Sequence, residues 1–160
     1  RKIPAQGGGG NRLPVHLRVN CAMDEKQLLQ RFNGHAPGFL AMLGGRFIAA
    51  DSAAATCTMQ FDIGEEFCHS VDVVQGGFVT AMLDAAMTHA AFAASEDVVN
   101  ISSLEIKTNY LEPTRAGRLR VEGCIVKMGY KLAFMEGRVF DASGTLTATS
   151  STVAKVIRRK

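Results

Sequence analysis

The stretch "QGGFVTAMLDAAMTHAAFAA", residues 75–94, constrains the fold more than any other part of the chain. From Gly76 to Ala94 it holds no proline and one formally charged side chain, Asp84. Apolar residues lie on most faces of a helix drawn through it, and such a helix has to be buried. At about 1.5 Å per residue it would be roughly 28 Å long, enough to cross a whole sheet. The remainder of the chain must supply the surface that covers it.

The residues after the helix supply strands. "NISSLEIKTNYLEP", "GRLRVEGCIVKMG", "KLAFMEGRVFDASG" and "TLTATSSTVAKVI" follow one another, with Gly129 and Asp141-Ala142-Ser143-Gly144 placed to turn the chain between the last three. Short connections of this kind join antiparallel neighbours. Before the helix, "AAATCTMQFDIG" alternates, with Ala55, Cys57, Met59, Phe61 and Ile63 on one side, which predicts a strand. "MDEKQLLQRFNG" predicts a short amphipathic helix capped by Asp24 and stopped at Gly34. "EEFCHSVDVV" reads as an irregular connection. The expected fold class is α+β, an antiparallel sheet packed on one central helix.

Length and composition fit a single domain: 160 residues, 47% hydrophobic. Residues 1–14, with four consecutive glycines, read as a flexible leader or expression remnant, and 15–160 as the domain. Five of the 18 basic residues lie in the tails, leaving 13 against 15 acids, a net −2 over residues 3–157. That balance offers no basic face for nucleic acid. Cys21, Cys57, Cys68 and Cys124 are scattered without metal-ligand spacing and are expected to be reduced thiols of a soluble cytoplasmic protein, with no metal site. Asp84 and His89 argue against a membrane span.

Read face by face, Gly77, Thr80, Asp84 and Thr88 fall three, four and four residues apart and form one small, polar stripe. Phe78, Val79, Met82, Leu83, Met87, Ala90 and Phe92 occupy the other faces, and His89 reads as packing or interface. A carboxylate in such a stripe either bonds Thr80 and Thr88, faces solvent, or serves chemistry. At the helix start, first-turn N–H groups lack intrahelical acceptors, and Gly76 and Gly77 leave them open to a ligand's carbonyl oxygen. The glycine pair alone could also simply make the turn.

"VVQGGFVTAMLDAAM", "SLEIKTNYLEPTRAGRL" and "GYKLAFMEGRVFDASGTLTATSS" occur in this order, and together they resemble the hotdog-fold thioesterases, in particular the phenylacetate-pathway (PaaI-type) acyl-CoA thioesterases. The resemblance spans about Phe67 to Val156. It implies a hotdog fold, a curved antiparallel sheet around the long helix, and homodimers or homotetramers with sites at the dimer interface. It implies Asp84 as general base or nucleophile, Gly76 or Gly77 as the amide on the thioester oxygen, Thr88 as a hydroxyl near the water, and Ser103 (or Ser102) as a further hydroxyl. Gln75 stands where the family commonly has His, His69 where Asn is frequent, and Asp72 where Gly is frequent. Gln75 or His69 could still orient a carbonyl or water. Lys131, Arg115 and Arg118 are the candidates for holding coenzyme A, which enters as part of the substrate; no other cofactor is implied. Met82, Met87, Phe78 and Phe134 suggest an aryl or medium-chain acyl group. A non-catalytic acyl-CoA-binding module is the alternative. A hotdog dehydratase or hydratase ranks behind it, since no "HxxPG" or "DxxxH" stretch occurs.

Overall fold

A computed structural model describes residues 23–159, so the expected leader and Cys21 lie outside the described residues. The chain order is α1 (Glu25–Gly34), α2 (Gly38–Met42), β1 (Gly45–Asp51), β2 (Thr56–Ile63), a 3-10 turn (Glu65–Phe67), β3 (Cys68–Ser70), β4 (Val73–Val74), α3 (Gly76–Ala94), β5 (Val98–Tyr110), β6 (Gly117–Met128), β7 (Leu132–Phe140) and β8 (Leu146–Arg158). Six strands form one antiparallel sheet in the order β1-β2-β6-β7-β8-β5, and β3 pairs with β4 separately. The α+β expectation holds, with α3 ending where the sequence placed it. Strand β1 and helix α2 went unpredicted, and the irregular connection contains the small β3–β4 pair.

The sheet wraps α3 because its inner positions are apolar or absent. On β6 and β7 the inward residues are Leu119, Val121 and Gly123, then Ala133, Met135, Gly137 and Val139, all buried. Met82, Leu83, Ala86 and Met87 of α3 meet them and are fully buried. The glycines set the distance: a β-carbon on Gly123 would run into the backbone of Ala86, and one on Gly137 would stand 2.9 Å from Leu83 Cδ2. Helix α1 is closed by a capping box, Asp24 accepting from the Gln27 N–H at 2.8 Å and Gln27 answering at the Asp24 N–H. It sends Leu28 and Phe32 into the same core.

Strand β5 forms one edge of the sheet, and a register shift between Ser103 and Glu105 marks a bulge there. Side chains alternate along a strand, so an extra residue inverts which parity faces inward. Ile101 and Ser103 face α3 before the bulge, and Ile106 and Thr108 face it afterwards. Leu104, at the bulge itself, is 62% exposed.

Candidate active site

Asp84 is half-buried at the middle of α3, on the helix face turned toward β5. The Ser103 hydroxyl donates to its Oδ1 at 2.6 Å, the length of a charge-assisted bond to a carboxylate. Oδ2 takes no hydrogen bond from any described residue. Of the two serines weighed from the sequence, Ser103 faces the helix while Ser102 points to the opposite side and is exposed. The carboxylate is bonded neither to Thr80 nor to Thr88. The Thr88 hydroxyl turns back on its own helix, donating to the carbonyls of Asp84 at 2.8 Å and Ala85 at 3.2 Å. In this conformation it satisfies the helix and leaves the carboxylate to Ser103.

The N-terminal turn of α3 has different neighbours. The Tyr110 hydroxyl donates to the Gly76 carbonyl at 2.8 Å and lies 3.0 Å from the Thr80 hydroxyl, which in turn lies 3.0 Å from that of Thr108. A β-carbon at Gly76 would meet the Tyr110 oxygen at 2.8 Å, whereas no described residue lies within 4 Å of one at Gly77. Gln75 is the N-cap residue. Its N–H donates to the Phe67 carbonyl, its own carbonyl accepts from the N–H of Phe78, and its side chain caps nothing and is exposed. His69 is also exposed, on β3. The residues placed together are therefore Asp84 with Ser103, and Gly76 with Gly77 and Gln75. Tyr110 and Thr108 were missed as site residues, because alternation counted from Ser103 turns both outward until the bulge is known.

The basic candidates are mostly engaged. Arg115 pairs with Asp72 at 2.5 Å, and the Asp72 carbonyl accepts the Ala116 N–H at 2.8 Å. Asp72 thus ties the segment before α3 to the segment after β5. Arg118 shares Asp62 with Arg46, at 3.2 and 3.1 Å; its hydrogen bond to Asp62 is the main cause holding that carboxyl below its ordinary range. Lys131 is exposed in the β6–β7 turn, its carbonyl accepting the Val156 N–H.

Two further expectations need correcting or completing. Phe134 pairs with Val153 on the outer face of the sheet and cannot line a pocket beside the helix, since its neighbours Ala133 and Met135 take the inner face. Met82 and Met87 are fully buried core, and Phe78, partly exposed, stacks edge-on against Phe67. His89 sits among Phe32, Phe47 and Phe92, with Nδ1 2.8 Å from the Ala85 carbonyl, and burial is the main cause lowering its pKa. That is the packing role expected of it.

Among the described residues the cysteines are free, and burial pushes the Cys57 thiol up to about 12. The described residues contain no cluster of three His, Cys, Asp or Glu side chains able to hold a metal ion. No described helix is long and apolar enough to cross a membrane.

Comparison with known proteins agrees with this geometry. Residues 72–148 match the sequence pattern of the Thioesterase superfamily. A phenylacetic acid degradation-related protein of Ralstonia eutropha JMP134 superposes with a TM-score of 0.73 at 28% identity, over 81% of this chain and 98% of that one. The PaaI protein of the E. coli phenylacetic acid degradation operon shares the fold, with a TM-score of 0.72 at 14% identity over 84% and 96% of the two chains. So does a Streptococcus mutans UA159 protein bound to acetyl CoA, with a TM-score of 0.64 at 15% identity over 71% and 90%. With its sheet wrapped on α3, the chain has the hotdog fold of these structural relatives, and over residues 72–148 it carries the sequence pattern of the thioesterase superfamily.

Proposed function

We propose that the protein hydrolyses acyl-CoA thioesters, with Asp84 acting on water or on the thioester carbonyl itself. The observation that carries this reading is the half-buried carboxylate held by Ser103 at 2.6 Å, with its second oxygen left to other partners. As general base, Asp84 takes a proton from water while the water oxygen bonds to the carbonyl carbon. The carbon–sulfur bond then breaks, coenzyme A leaves as thiolate and takes up a proton, and the free acid remains. As nucleophile, an Asp84 carboxylate oxygen bonds to the carbonyl carbon, the carbon–sulfur bond breaks with coenzyme A leaving as thiolate, and water cleaves the resulting anhydride to the free acid and Asp84. Both routes need an amide donor on the carbonyl oxygen, and Gly76 or Gly77 offers one at the helix terminus. The relative that binds acetyl CoA supports a coenzyme A ester as the ligand class. Lys131 remains the basic candidate not engaged by a carboxylate. The acyl preference and the cytoplasmic setting belong to the same proposal.

Spacing favours a site shared between two chains. Gly76 and Asp84 are eight residues apart, about 12 Å along the helix axis. In the nucleophilic route, an amide about 3 Å from a carbonyl oxygen and a carboxylate about 3 Å from its carbon lie much closer than that, the C=O bond being about 1.2 Å, and in the general-base route one water adds about 3 Å. The site we propose therefore combines Asp84 and Ser103 of one protomer with the glycine pair of a second. Strand β5 is suited to the contact: it is a thirteen-residue edge strand carrying exposed Val99 and Leu104, the kind of edge that pairing covers.

The test is thiol release from a panel of aryl- and alkyl-CoA thioesters. Asp84→Asn, which keeps shape and removes the base, should cut kcat by about 10²- to 10⁴-fold with an unchanged melting temperature. Near wild-type turnover in the variant would sink the mechanism. Thermal stabilisation by acyl-CoA without any release would favour the binding module instead.

A further inference from the structure

We propose that Tyr110 is a positioning residue for the proposed carbonyl-binding amides, orienting the Gly76–Gly77 peptide through its hydroxyl. The inference rests on the thioesterase reading and goes beyond the residues which that reading uses. Tyr110 donates to the Gly76 carbonyl at 2.8 Å. That carbonyl belongs to the same peptide unit as the Gly77 N–H, and a hydrogen bond to the oxygen of an amide makes its N–H a stronger donor. The bond also fixes the rotation of that plane, and so the direction in which the Gly77 N–H faces. Glycine has the widest backbone freedom, so a pair of them at a helix start needs an external constraint.

The hydroxyl is itself held. Thr80 lies 3.0 Å from it, Thr108 lies 3.0 Å from Thr80, and Ser150 lies 3.4 Å from Thr108 while donating to the Lys107 carbonyl at 3.0 Å. This chain of four hydroxyls runs from β8 through β5 to the helix terminus, and the β5 bulge is what brings Thr108 and Tyr110 to it while Ser103 still reaches Asp84. One irregularity in one strand thus serves both halves of the stripe. The close approach at Gly76, where a β-carbon would stand 2.8 Å from the Tyr110 oxygen, shows how tightly the two are matched.

The experiment compares wild type, Tyr110→Phe and Thr108→Val by kcat and KM on benzoyl-CoA and hexanoyl-CoA. It also follows the backbone amide resonances of Gly76 and Gly77 by ¹H–¹⁵N NMR. Tyr110→Phe should lower kcat about tenfold with KM within twofold, and should shift the Gly77 resonance and speed its hydrogen exchange. Thr108→Val, which leaves the Tyr110–Gly76 bond in place, should move kcat in the same direction by about threefold. An unmoved Gly77 resonance in Tyr110→Phe, or a change confined to KM, would overturn the proposal. If wild type releases no thiol from either ester, the functional reading falls, and the Gly77 resonance still decides whether Tyr110 orients the peptide.

Discussion

Two faces of helix α3 follow opposite rules. The face toward β6 and β7 is closed: Leu83, Ala86 and Met87 are fully buried, and Gly123 and Gly137 are bare so that the helix backbone can come against the sheet. The face toward β5 carries the polar side chains Thr80 and Asp84, each bonded to a hydroxyl of that strand. The closed face gains its stability from apolar burial and tolerates no added atoms. The polar face gives up part of that stability to keep hydrogen-bonding groups partly open, and no described residue comes within 4 Å of a β-carbon at Gly77. The proposed chemical site and its support are therefore separated by half a turn of one helix.

The sharpest way to break this contrast is to add volume to the closed face. Gly123→Val would drive side-chain carbons into the Ala86 backbone, which cannot rotate away. A loss of about 1–3 kcal/mol is expected for overpacking, and the backbone contact puts this site at the upper end. Urea denaturation would measure it. A variant as stable as wild type would mean that helix and sheet are not in contact at Gly123.

The complementary change removes one atom from the polar face. Ser103→Ala deletes the donor to Asp84 Oδ1 and leaves the fold's apolar contacts in place. Losing a hydrogen bond to a charged group costs about 1.5–3 kcal/mol where the group is buried. Asp84 is only half-buried, so a fall in kcat of about tenfold, roughly 1.4 kcal/mol, is the expected size. If kcat stays within twofold while urea stability drops by that amount, Ser103 is structural and the contrast between the faces is weaker than drawn.

The closed face was easier to read in sequence than the polar one, for a physical reason. Period-two alternation in Ala55–Ile63 and the uninterrupted apolar run of α3 are properties of neighbouring residues, so sheet, helix and core follow from local pattern. Asp84 could be named because it is the one charged side chain of an apolar helix, and Ser103, with Ser102 as its alternative, because the resemblance pointed there. Tyr110 and Thr108 could not be placed, since their facing depends on one extra residue at the β5 bulge. The misplacement of Phe134 shows the same limit in reverse: a large apolar side chain fits a pocket by composition, and only strand parity puts it on the outer face. Arg115 is one of the candidate cations for coenzyme A, and its pairing with Asp72, 43 residues earlier, is a long-range contact that local pattern does not show.

The smallest effect expected belongs to His89, which lies beyond the stripe among Phe32, Phe47 and Phe92 and tests how far the closed environment extends. Burial lowers its pKa below 6.5, with the Ala85 carbonyl and Asp84 opposing the shift and Arg31 adding to it. In the unfolded chain the imidazole titrates near 6.5, so just below that pH the unfolded state binds more protons than the folded one. Stability is then greatest above 6.5 and falls as pH drops toward the folded-state pKa. Replacing His89 by Phe should flatten this part of the curve, seen as a smaller change in urea midpoint between pH 7 and about pH 5. An unchanged slope would show that the imidazole is hydrated and that the closed environment of α3 stops short of His89.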